Sequence, residues 1–409
     1  MVRKSLRIFA LVICSLMLVS LSVACQTTPS SQTTASNSAA ATTTEATLGR
    51  QTVKIGIATC FTGAGARGAE TQLVGLQVAL NQIKASGFSK YYDFELIQAD
   101  DQYDATQAVN VANKLVYQDG VKAVFGHLNA VVTLAGISVY EEAGVPCLTP
   151  SGSSEKITGS GFKYVIQAVP SDVIITKSLV EYLVKDLGID NFGVLYANND
   201  QGQSGLSYIQ RAMDDLGKPI VAKEAFLVAD TDFTGQMLNF KSAGCEAVVI
   251  WGGEVSQRSM IVKQARQYIS NDVLITGDGN FSNATYVGVT SPEERNGVIF
   301  GAAWSNQLKD ENSLKFIADF TELDALHQAP GAVAVRFYDG MYLMATALNN
   351  MGPYDVNSED FTEKLNDALH SATFDGLQGT LKPDATGNSL DKGMIIKYNA
   401  EGKEELVVK

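Results

Sequence analysis

An α/β protein of two doubly wound lobes is what this sequence predicts, and three observations carry the prediction. From about Gln51, short apolar runs rich in β-branched residues alternate with segments whose apolar residues recur at helical spacing. The same rhythm restarts near Ile175. The chain is 409 residues long, enough to fill two cores. Strand and helix in alternation build parallel sheets from right-handed βαβ units.

The first half opens on the strand pattern "TVKIGIATCF", followed by helical spacing in "ETQLVGLQVALNQIKASG" and a strand in "DFELIQADD". Next come the helix "ATQAVNVANKLVYQDG", the strand "VKAVFGHL", the helix "TLAGISVYEEAG" and the strand "VPCLTP". The second half repeats this in "ITKSLVEYLVKDLG", "NFGVLYAN", "GLSYIQRAMDDLG", "IVAKEAFLV", "DFTGQMLNFKSAG", "AVVIWGG", "QRSMIVKQARQY" and "DVLITGDG". Helical patterns return in "SLKFIADFTELDAL" and "AVAVRFYDGMYLMATALNN", and the tail reads as strands separated by turn signals. Both halves are Rossmann-like. In such sheets, ligands bind at the carboxyl ends of the strands.

The start of the chain reads differently. Basic "MVRKSLR", apolar "IFALVICSLMLVSLSVA" and the small residues before Cys25 have the layout of a secretory signal over residues 1–24. "LSVAC" resembles the lipobox of bacterial lipoproteins, in which the thiol is acylated, although Ser22 stands where leucine is usual. The alternative is an ordinary cleaved signal that releases the protein. Residues 25–50 are rich in Ser, Thr and Ala, with almost no large apolar residue, so they read as a flexible tether that favours the anchor. The expected location is outside the cytoplasm, on a bacterial membrane through lipid on Cys25.

Composition excludes several functions. The formal charge is −13, and removal of Arg3, Lys4 and Arg7 with the signal makes it more negative, so nucleic acid is not an expected partner. Cys60, Cys147 and Cys245 sit singly in apolar runs and read as small core residues. They and the three histidines show no metal-ligand spacing, and no cofactor is implied. Gly63, Gly65 and Gly68 match a dinucleotide fingerprint, which requires an acidic residue about 20 positions on. Asp100 and Asp101 come too late for that, which leaves a Gly-rich turn that brings backbone close to some other ligand. An enzyme would need a base beside an activated nucleophile; His127 has none in "GHLNAVVT" and reads as a strand-end residue satisfied by backbone.

The stretches "VKIGIATCFTGAGARG", "DDQYDATQAVNVANKLVYQDGVKAVFGHL", "YEEAGVPCLTPSGSS", "DFTGQML", "IWGGEVSQRSMIVKQARQY" and "ITGDG" together resemble the substrate-binding proteins of branched-chain amino-acid ABC transporters. These are type I periplasmic binding proteins of the Leu/Ile/Val-binding kind, and the likeness spans nearly the whole mature chain. It implies two lobes joined by a three-crossover hinge and closing on a small ligand. The crossovers are expected near 167–172, 301–304 and 375–380. Residues 51–168 plus 304–378 then form the first lobe, and 169–303 plus 379–409 the second.

Carried over residue by residue, the resemblance makes "PSGSS" the head-group turn. The Ser151 carbonyl would accept from a ligand ammonium, while the Ser153 hydroxyl and amide reach its carboxylate. Ala130 stands where a serine hydroxyl is usual, so only its amide remains. Asp278 aligns with the acid that pairs with the ammonium. A dehydrated zwitterion requires both charges to be met in this way. Arg67, Gln201 and Glu254 replace aromatic pocket residues, and Val333 a larger aromatic. Aromatic faces suit branched aliphatic groups, so the expected ligand has a polar or charged side chain; alternatively Arg67 and Glu254 pair across the cleft as a latch. The resemblance further implies permease and ATPase partners. A sensing module for a receptor, or a binder of a carboxylate or amide that is not an amino acid, is the alternative.

Overall fold

In a computed structural model the alternating pattern becomes two sheets. The structure describes residues 48–62, 65–227, 229–282 and 284–408. The expected signal, Cys25, most of the tether and Gly63 lie outside them. The first sheet contains β1 (Gln51–Thr59), β2 (Tyr92–Asp100), β3 (Ala123–Gly126), β4 (Cys147–Leu148) and β5 (Val165–Ile166), all parallel, in the order β2-β1-β3-β4-β5. The second contains β6 (Phe192–Ala197), β7 (Ile220–Phe226), β8 (Ala247–Trp251), β9 (Leu274–Gly277) and β10 (Ile299–Ala302), also parallel, in the order β7-β6-β8-β9-β10. The two halves therefore share one topology.

Burial explains the strand patterns. "AVVIW" in β8 is buried at all five positions, because helices cover both faces of a parallel sheet. Val53, Ile55 and Ile57 of β1 are fully buried in a core with Leu76, Phe337 and Met341, whereas Phe240, Ile250 and Phe300 belong to a separate core around the second sheet. Helices Ala66–Ser86 and Ala332–Met351 pack tightly beside the first sheet. Gly75 permits this contact, since a Cβ there would collide with the Ala334 carbonyl. That approach fixes the middle of the first helix against the first turn of the second.

The chain leaves the first sheet after Ile166 and enters the second-lobe helix Asp172–Glu181, whose Leu179 and Val180 lie in a core with β6 and β8. It returns after Ala302, with Trp304 already in the first core. A hairpin of β11 (Phe374–Gly376) and β12 (Gly379–Leu381) follows, and then β13 (Met394–Tyr398), antiparallel to β10, and β14 (Glu404–Val408), antiparallel to β13, extend the second sheet. The third passage thus falls near Leu390–Met394, later than 375–380. The reason is a buried anchor. The Asp339 carboxylate accepts from the amides of Leu377 and Gln378, both at 2.9 Å, and Asn388 bridges back to Gln167, so this stretch stays with the first lobe.

Candidate functional site

The resemblance places the ligand residues at the carboxyl ends of strands, and the topology brings those ends together. Arg67 follows β1, Ala130 follows β3, and Ser151 and Ser153 follow β4; in the second lobe Gln201 follows β6, Glu254 follows β8 and Asp278 follows β9. In both sheets the strand order reverses at the first strand, between β2 and β3 and again between β7 and β8. Loops at that reversal splay apart and leave a crevice.

The serine turn is held from below. Gly152 donates its amide to Thr149 Oγ1 at 3.2 Å, and Gln167 Nε2 donates to the Gly152 carbonyl at 2.6 Å. Fully buried Gln72 donates to Ser151 Oγ at 3.2 Å. The Ser153 carbonyl accepts the amide of Asp172 at 2.9 Å, which joins the turn to the first residue of a second-lobe helix. Among the described residues the Ser151 carbonyl accepts no backbone hydrogen bond beyond its strands and helices. Ala130 opens helix Ala130–Ala143, capped by Asn129, whose side chain accepts from the Val132 amide at 2.9 Å.

Asp172 is the residue that sequence reading passed over. Burial pushes its carboxyl up to about 6; the Ser153 hydroxyl lowers it, Asp278 raises it by repulsion, and Arg336 lowers it by attraction. Asp172 thus feels groups of both lobes, Ser153 and Arg336 of the first and Asp278 of the second. Tyr208 lies close by and is nearly buried; burial raises its phenol, and so do Asp172 and Glu155. At the rim, Arg211 grips Glu155 with two hydrogen bonds, at 3.0 and 3.2 Å, linking helix Asp200–Asp215 to helix Glu155–Thr158 across the lobes.

Asp278 already has a partner. Nη2 of Arg258, a fully buried residue, lies 2.9 Å from each carboxylate oxygen, and the amides of Gly252 and Asn280 donate to the same group. Arg258 also lies over the Phe281 ring at 4.9 Å, while its Nε and Nη1 make no hydrogen bond. The acid expected to meet a ligand ammonium alone is thus already paired with an arginine of its own lobe.

The pocket residues sort differently from the expectation. Arg67 donates to Glu70 at 2.9 Å and to buried Asp324 at 2.7 Å, both in the first lobe. Glu254 caps helix Val255–Tyr268, its amide donating to Gln257 Oε1 at 3.0 Å. The two are not paired, so the latch is not formed here. Gln201 is exposed in the first turn of its helix. His127 is fully buried, with Nδ1 at 2.6 Å from Asp101 and Nε2 at 3.2 Å from the Tyr140 hydroxyl, so side chains engage it where backbone was expected.

Comparison with known proteins agrees with the fold. A family model described as periplasmic binding protein matches residues 52–398. A leucine-, isoleucine-, valine-, threonine- and alanine-binding protein of Pseudomonas aeruginosa is 26% identical over 338 residues, 82% of this chain and 87% of that one. The branched-chain amino acid transporter substrate binding protein LivJ of Streptococcus pneumoniae, solved with isoleucine, aligns with a TM-score of 0.70 at 24% identity, covering 88% of this chain and 100% of that one. An ABC transporter solute binding protein of R. palustris, solved with benzoate, has a TM-score of 0.70 at 17% identity over 87% of this chain and 96% of that one. Identities this low speak for the fold alone.

The buried ion pair makes a direct prediction. Asp278→Asn strands the Arg258 charge and should cost about 3–5 kcal/mol of stability in urea denaturation. The double change Asp278→Asn with Arg258→Met should restore most of that loss. Equal stability of the single variant and the wild type would contradict the pairing.

Proposed function

The chain belongs to the periplasmic binding protein family, and from that premise we propose that it is the extracytoplasmic solute-binding component of an ABC importer, capturing an α-amino acid between its lobes. One observation carries this reading: Asp172, whose amide donates to the Ser153 carbonyl of the serine turn, is a buried acid that also feels the negative charge of Asp278 in the second lobe. A ligand ammonium between them relieves their repulsion, and its cost of dehydration is met by two counter-charges. The Ser151 carbonyl supplies a further acceptor, and Ser153 with the amide of Ala130 meets the ligand carboxylate. Proteins of similar sequence bind leucine, isoleucine, valine, threonine and alanine, which supports the α-amino acid class. Polar groups around the crevice, Gln201 among them, favour a ligand with a polar or charged side chain; Arg67 and Glu254 would join in only by leaving their present partners.

A second reading rests on Arg258. Because it neutralises Asp278 from within the protein, an acid that lacks an amine is the competing ligand class, and a benzoate complex is known in this fold. The chemistry of the amine separates the two. In a thermal-shift screen of amino acids, their N-acetyl derivatives and simple carboxylates, a free α-amino acid should give the largest stabilisation, about 2.7 kcal/mol at a hundredfold excess over Kd. Acetylation should remove it. A best ligand without an amine would instead favour the second reading.

In this account permease and ATPase subunits receive the ligand, and a lipid on Cys25 keeps the protein at the membrane through the tether. Cys25→Ala should move it from the membrane fraction to the soluble exported fraction. A variant that still fractionates wholly with membranes would contradict the anchor.

A further inference from the structure

Helix Ala332–Met351 is apolar for most of its length, and Arg336 is its only cation. The residue lies one turn beyond Val333, which the resemblance places on the wall of the crevice, so both share one helix face. Arg336 is partly buried, and its Nε is fully so with no hydrogen-bond partner. It forms no ion pair or hydrogen bond with any described residue; burial pulls the guanidinium down to about 10, and Asp172 acts on it in the other direction without direct contact. The other buried arginine of this region, Arg258, is paired with Asp278. Arg336 is the cation of this helix without a hydrogen-bond or ion-pair partner among the described residues, its Nε buried, and Asp172 is the acid that acts on it.

A guanidinium offers five donors in a planar fork that matches a carboxylate. Taking that fork out of water without an anion to receive it is unfavourable, and a ligand carboxylate supplies what is missing. The first lobe also lacks a hydroxyl at Ala130, so the serine turn alone offers few donors for a carboxylate. We propose that Arg336 is the ligand-carboxylate anchor of the crevice, a specificity-determining residue that grips either the α-carboxylate or a second carboxylate on the ligand side chain. This rests on the amino-acid reading above and adds to it which protein group meets the negative charge. It also moves the source of polar selectivity from Arg67, held by Glu70 and Asp324, to Arg336.

Calorimetric titration of leucine, leucinamide, glutamate and glutamine into wild type and Arg336→Gln tests this. Removing the guanidinium should weaken the carboxylate that it holds by about 30-fold or more. A loss for glutamate alone assigns the side-chain carboxylate, with glutamine unaffected. A loss for leucine, glutamate and glutamine, with leucinamide weak in both proteins, assigns the α-carboxylate. Arg336→Lys, which keeps the charge without the fork, should lose about tenfold and serves as the test if the Gln variant proves unfolded by circular dichroism. Ligands that bind either folded variant as tightly as wild type would overturn the anchor and leave the amino-acid reading standing. A wild type that binds none of the four probes would overturn both.

Discussion

The crevice depends on one buried contact, the pair between Arg258 and Asp278. A carboxylate at the meeting point of two lobes would protonate or draw in a counter-charge, since burial without a partner is unfavourable by several kcal/mol. Arg258 resolves that from beneath, and Gly252 and Asn280 fix the carboxylate orientation through their amides. Burial pushes the Asp172 carboxyl up to about 6, and repulsion from Asp278 adds to that. In the proposed site an incoming cation would meet Asp172 as well as the Asp278 that Arg258 already neutralises.

The remaining structure serves to hold these charges at one place. Both sheets share the same strand order, so equivalent loops follow the carboxyl ends of their strands. The close approach at Gly75 sets helix Ala332–Met351 against helix Ala66–Ser86 and so positions Arg336. Asp339, one turn further along, holds the β11–β12 hairpin to the first lobe. At the rim, Arg211 and Glu155 link the lobes, but both are well exposed, and such pairs contribute at most about 1 kcal/mol. A weak rim contact with strong interior charges suits a protein that must open to release what it binds.

Much of the fold was legible in the sequence because it rests on periodicity. Apolar runs such as "AVVIW" and helical spacings such as "ETQLVGLQVALNQIKASG" specify parallel strands and covering helices without reference to distant residues. The late third passage was not legible, since it follows from a tertiary bond between Asp339 and the amides of Leu377 and Gln378. The site divided in the same way. The positions of Ser151, Ser153 and Asp278 follow from loop order, whereas the pairing of Asp278 with Arg258 requires two residues twenty positions apart to meet in space. The contacts of Arg67 and Glu254, with Asp324 far along the chain and with a helix start, were not visible in the sequence. Asp172 reads in "PSDVIITK" only as a residue of a capped helix start. Arg336 did leave a signal: a lone cation in "AVAVRFYDGMYLMATALNN" has no reason to be there unless something receives it.

The central claim is that the crevice recognises a ligand by both charges, with amine between Asp172 and Asp278 and carboxylate on Arg336. A crystal structure of the protein with its bound amino acid tests it most directly. The account predicts ammonium nitrogen within about 3 Å of at least one oxygen of each acid, and a carboxylate oxygen at about 2.8 Å from the Arg336 guanidinium. A ligand seated between the lobes with Arg336 turned away and neither acid near an amine would contradict it.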